Sequence, residues 1–205
     1  MNDSMITYIL IGITALVSFG AFQNVDLLNK CMFYPVDIKN KREFWRFITH
    51  GFIHADLQHL LFNMLTLFFF GRYVESAFNS IFGNMFVYPL FYILALIASS
   101  IPSYKKHQHD YYYRSLGASG AVSAVLYATV VFKPWSSIHI YFIKVPAIIY
   151  AVLYLVYSNH MSRKGTDNIG HDAHFFGAIF GFVFPFVFKP YLIGDFIDQL
   201  KNPHF

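Results

Sequence analysis

The stretch RSLGASGAVSAV at residues 114–125 sets Ser119 between glycines at the start of an apolar run. A serine hydroxyl becomes a nucleophile when an imidazole within hydrogen-bond reach takes its proton. His174, in HDAHFFGAIFG at residues 171–181, stands at the start of a later apolar run and supplies an imidazole. His59 and Asn63 lie four apart, so on a helix they share one face and aim two side-chain donors the same way. Such donors stabilise the oxyanion of an acyl transfer. The first turn of a helix leaves its N–H groups unpaired, so the Ser119 N–H adds to them. Gly117 and Gly120 leave room for a peptide backbone beside Ser119.

Each of these residues also has a packing reading. Glycine and serine are common where membrane helices touch, and asparagine bonds across helices. A histidine in a bundle is often a structural hydrogen-bonder. Gly177 and Gly181 form a small-xxx-small pair whose role is close packing. Here packing serves the chemistry, because a close approach of the two helices is what brings His174 to Ser119.

The composition says where these helices lie. The 205 residues are 56% hydrophobic, 20% aromatic and 13% charged, against about 25% charged in soluble domains. Mean hydropathy is +0.44. The class is all-α, a polytopic membrane protein, read as one domain over residues 1–205. The net charge of +4 is spread along the chain, which gives no nucleic-acid footprint. The lone cysteine, Cys31, excludes an internal disulfide. Asp3 ahead of the first apolar run predicts a retained helix rather than a cleaved signal.

A spanning helix needs about 20 mostly apolar residues. Six candidates follow: 5–23, 56–78, 82–101, 116–132, 146–159 and 173–188. The mixed segment 24–55 reads as a large interfacial loop, with Phe44 and Trp45 at headgroup level. YKKHQHDYYYRS reads as a polar loop, and SSIHIYFIK is too short to span. Pro146 is expected at the first position of the fifth helix. The second, fourth and sixth helices run in one direction, so their N-terminal ends share one membrane face. Those ends carry His59 with Asn63, then Ser119, then His174.

Four stretches, in this order, resemble the rhomboid family of intramembrane serine proteases: FWRFITHGFIHADLQHLLFNM, GRYVE, GASG and AHFFGAIFG. The resemblance implies a minimal six-helix form in a bacterial cytoplasmic membrane, cutting the transmembrane segments of other proteins and needing no cofactor or metal. It implies Ser119 as nucleophile and His174 as general base, a dyad without an aspartate. It implies an oxyanion hole of His59, Asn63 and the Ser119 N–H. Trp45 and Arg46 match the structural motif of the first loop, and His54 a supporting histidine. Arg72 and Glu75 match a polar cluster at the far end of the second helix.

The chain departs from the family pattern at one site position. Many members carry an aromatic four residues after the nucleophile, under the base; here it is Ser123, so Phe175 or Phe176 is expected to help hold His174. A client-binding pseudoprotease is the non-enzyme alternative, and its mark is loss of the dyad. A metal site is the other: His50/His54 and His171/His174 have ligand-like spacing, with Asp56 and Asp172 the nearest carboxylates. Only two good ligands can be named, HExxH is absent, and an open zinc site needs three.

Orientation sets two arguments against each other. The family keeps its N-terminus in the cytoplasm, with the nucleophile opening outward. By that topology 10 of the 15 Lys and Arg residues lie outside, against the positive-inside rule. Following the resemblance, we predict that on a Cys31→Ser background a cysteine at Gln108 labels with an impermeant thiol reagent on intact cells. One at Asn202 stays protected. The reverse pattern would show that the basic loops set the topology.

Overall fold

The structure is a computed structural model, and it describes residues 4–140, 142–164 and 170–203. Helices dominate. α1 (Met5–Gln23) leads into three short helices, α2 (Val25–Cys31), α3 (Pro35–Lys41) and α4 (Arg46–Thr49), and a 3-10 turn at His50–Phe52. α5 (Leu57–Thr66) continues through a π-helical segment, Leu67–Gly71, into α6 (Arg72–Phe82). Then follow α7 (Val87–His107), α8 (Ser119–Phe132), α9 (Ala147–Lys164), α10 (His171–Phe188) and α11 (Leu192–Lys201). α1, α7 and α10 are long and apolar enough to cross a membrane, and α8 is a shorter apolar helix.

Several boundaries differ from the sequence expectation, each for a local reason. The second helix runs to Phe82, where Gly83 takes a left-handed conformation (φ 64°) and closes it. The third begins at Val87 and continues past Pro102 to His107, into the stretch read as a loop. Lys105, Lys106 and His107 in its last turn face the negative end of the helix dipole. The segment too short to span is a strand: β1 (Ser137–Ile140) pairs antiparallel with β2 (Ile143–Pro146), so the chain is not purely helical. Pro146 ends β2 and α9 starts one residue later. The first amides of α9 are taken by carbonyls of the preceding turn, Ala147 N to Ser136 O and Ile148 N to Pro134 O, both 2.8 Å.

The first loop is folded around Arg46. Its guanidinium is buried, donates to Asn29 O (2.8 Å), Met32 O (2.7 Å) and Glu43 (2.5 Å), and lies 3.8 Å from Asp37. It thereby draws together the chain from α2 to α4. Its neighbour Trp45 points the other way and is 47% exposed, as an interfacial aromatic should be. Glu75 is buried on α6 and accepts from Ile6 N (2.9 Å), Thr7 N (2.8 Å) and Thr7 Oγ1 (2.6 Å). It caps α1, placing a carboxylate at the positive end of that helix. Arg72 does not join it; its guanidinium lies over the rings of Tyr8 and Phe68.

α8 is the central column, buried at every residue from Gly120 to Val131. α10 lies against it, backbone on backbone. A Cβ on Gly177 would overlap the carbonyl of Gly120, and one on Gly181 the carbonyl of Ala124. Below that contact Phe78, Phe91 and Phe184 interlock across α6, α7 and α10, with Phe91 and Phe184 4.9 Å apart. Gly177→Val and Gly181→Val have backbone, not a flexible side chain, in the way. We predict that each lowers stability in detergent by at least about 3 kcal/mol, beyond ordinary overpacking. Activity should fall with it. Wild-type unfolding midpoints would contradict the contact.

Candidate active site

Ser119 is the first residue of α8, so its N–H lies outside the helix ladder. The turn that delivers it is nailed to the first loop. Phe33 and Ser115 exchange both backbone hydrogen bonds, Phe33 N to Ser115 O at 2.9 Å and Ser115 N to Phe33 O at 3.1 Å. Gly117 N donates to His50 O at 2.8 Å. Ala118 N donates to His54 Nε2 at 3.4 Å. Gly117 has φ +116°, a conformation that glycine adopts freely and other residues rarely do. A Cβ there would also sit 2.6 Å from the His59 ring. Conformation and space both demand glycine.

Behind this turn stand two histidines, His50 and His54, the latter expected as a supporting residue. Both are buried. Ser100 Oγ donates to Leu96 O (2.8 Å), so the 3.0 Å contact with His50 Nε2 has the ring donating. His54 accepts from Ala118 at Nε2, so Nδ1–H donates to Ser18 Oγ (3.0 Å), and Ser18 in turn donates to Phe52 O (3.1 Å). The His54 ring, accepting at one nitrogen and donating at the other, is therefore neutral, and both rings are committed to protein partners. Desolvation by burial holds His50 down at about 4. Desolvation, then the neighbouring His59, holds His54 at about 3, with Asp56 opposing.

His59 and Asn63 stand on α5, whose start is capped by Asp56 accepting from His59 N at 2.7 Å. The His54 and His59 rings meet edge to face at 4.9 Å. Asn63 is buried and spends one amide hydrogen on His59 O (2.9 Å), which fixes its rotamer and leaves a second hydrogen. His174 sits in the first turn of α10. Asp172 ties that turn to α7 through Lys106 (3.5 Å) and to α9 through Ser162.

His59, Asn63, Gly117, Ser119, Gly120, Ser123 and His174 all line one cavity of about 780 Å³, which Tyr150 and Tyr154 also line. It is large enough for a peptide segment. Phe175 and Phe176, expected to help hold His174, pack edge to face on each other at 5.3 Å. The ring stacked on His174 belongs to Tyr154 of α9. One tyrosine among 15 carried no signal for this role. Among the described residues, no group of three His, Cys, Asp or Glu is arranged to hold a metal ion.

His54 makes the stability pH-dependent, and the sign follows from its lowered value. Below about pH 6.5 the unfolded chain binds a proton that native His54 refuses, so stability is lost as pH falls toward about 3. The stability is fully present above pH 6.5. We predict that His54→Gln flattens this acid loss by about 1.4 kcal/mol per pH unit between pH 6 and 4. Unfolding in detergent at stepped pH checks it; parallel slopes for the two proteins would refute a buried neutral His54.

Comparison with known proteins bears on what this arrangement is. A family model described as the Rhomboid domain matches residues 41–191. The chain is 26% identical over 195 residues to the mitochondrial RHOMBOID-like protein 12 of Arabidopsis thaliana, covering 86% of this chain and 56% of that protein. It is 29% identical over 155 residues to Rhomboid-related protein 1 of Caenorhabditis elegans, covering 73% of this chain and 41% of the relative. It is 29% identical over 161 residues to the rhomboid protease GlpG of Haemophilus influenzae, covering 76% of each. The chain thus spans about half the length of the first two. The family match takes in the end of the first loop, the α8 turn and the start of α10, and on it the chain belongs to the rhomboid family of polytopic membrane proteins.

Proposed function

We propose that this protein is an intramembrane serine endopeptidase that hydrolyses peptide bonds in or near the transmembrane segments of other membrane proteins. The observation that carries this reading is that Ser119 and His174 line the same cavity as His59 and Asn63. In it, Ser119 Oγ attacks the scissile carbonyl while His174 takes the hydroxyl proton. The tetrahedral oxyanion is met by His59, Asn63 and the Ser119 N–H. His174 returns the proton to the leaving amine, and the acyl-enzyme is then hydrolysed by water that His174 activates. Gly117 and Gly120 leave the substrate backbone room to approach. No metal, cofactor or nucleic acid enters the reaction.

The architecture we infer is a single membrane domain over residues 1–205 with six crossings: α1, α5–α6, α7, α8, α9 and α10. We infer a bacterial cytoplasmic membrane as its setting, with the cavity opening outward. Burial of Arg46 with Glu43 and Asp37 supports that orientation, because this basic residue is held by the fold. A pseudoprotease that only binds membrane clients is the second reading. The presence of both Ser119 and His174 favours the enzyme.

Ser119→Ala decides between them. We expect wild type to react covalently with a fluorophosphonate probe and to cleave a model transmembrane substrate. The variant should do neither, with turnover down more than about 10³-fold and an unchanged unfolding midpoint. Wild-type protein inert to both, or a variant with near-normal turnover, would overturn the assignment.

A further inference from the structure

We propose that Tyr154 of α9 is the positioning residue for the base, holding the His174 ring from a helix other than the one that carries the nucleophile. The inference rests on the protease reading and deepens it. The ring centroids of Tyr154 and His174 are 6.2 Å apart with the planes at 24°, a stacked pair. Tyr154 is itself held on two sides. Tyr150, one turn earlier, stacks on it at 5.8 Å and 20°. Tyr127 of α8 leans on it at 6.3 Å and donates its hydroxyl to Ala151 O at 2.5 Å, which pins α9 to α8 beside the pair. Next along the same face of α9, Tyr157 meets His171 edge to face at 5.6 Å, and His171 meets His174 edge to face at 6.0 Å. A tyrosine face at helical spacing therefore receives both histidines of the first turn of α10.

Ser123 explains why the ring comes from α9. It lies one turn after Ser119 on α8 and lines the same cavity as Tyr154. A small residue there leaves free the space that a larger one would fill. Stacking fixes the plane of the imidazole. The π face also favours the imidazolium that forms when His174 takes the serine proton. Both effects act on the chemical step and not on substrate affinity, so they belong in kcat.

The test is a steady-state comparison on the purified protein in detergent with a model transmembrane substrate. Tyr154→Phe keeps the ring and should hold kcat within about 2-fold of wild type. Tyr154→Met keeps the bulk but loses the face, and should lower kcat about 10-fold with KM unchanged within a factor of 2. The exchange Ser123→Tyr with Tyr154→Ser returns a ring from α8, and should recover kcat at least about 5-fold over Tyr154→Ser alone. Tyr154→Leu stands in if Tyr154→Met does not fold, as judged by its unfolding midpoint. Wild-type kcat in the folded Met or Leu variant, or a loss that appears only in KM, overturns the positioning role while leaving the protease reading intact. Wild-type protein that neither cleaves nor labels at Ser119 overturns both.

Discussion

The contact on which the site depends is backbone on backbone. α10 meets α8 where Gly177 covers Gly120 and Gly181 covers Ala124, with no room for a Cβ on either glycine. In a bilayer, lipid tails compete equally for apolar side chains, so helix association relies on such close van der Waals packing. The consequence is positional. His174 lies three residues before Gly177 and Ser119 one residue before Gly120, so the two ends that bear them are drawn to one cavity. Any side chain that lifts α10 from α8 moves the proposed base from the proposed nucleophile.

A second constraint fixes the other wall. The turn entering α8 borrows its hydrogen-bond partners from the first loop: Phe33, the carbonyl of His50 and the ring of His54. That loop must then be stiff, and Arg46 makes it so by binding two carbonyls and two carboxylates from a buried position. Buried imidazoles are well suited to this work only while neutral, since each then both donates and accepts. The structural histidines and the proposed catalytic one thus require different environments. His50 and His54 are sealed, whereas His174 and His59 are half-buried against the cavity.

Polar groups elsewhere in the bundle obey the same rule of satisfaction. Glu75 would be costly inside a membrane protein, yet it meets three donors at the start of α1. Ser18, at the other end of α1, closes the chain from His54 to the Phe52 carbonyl. α1 is therefore held at both ends by polar side chains, although most of its surface is apolar.

The sequence by itself determined the membrane class and the order of the long helices, and it singled out His59, Asn63, Ser119 and His174, which line one cavity. Hydrophobic runs and helical periodicity are local properties, legible without any knowledge of packing. It also exposed the Gly177/Gly181 pair that lets α10 touch α8. What it could not supply was anything set by contacts between distant segments. The capping of α1 by Glu75 joins residues 68 apart, and the turn entering α8 takes its partners from the first loop. The ring against His174 belongs with them. Phe175 and Phe176 were adjacent in sequence, but a helix turns adjacent residues about 100° apart. Tyr154 is 20 residues away and arrives because α9 packs against both α8 and α10.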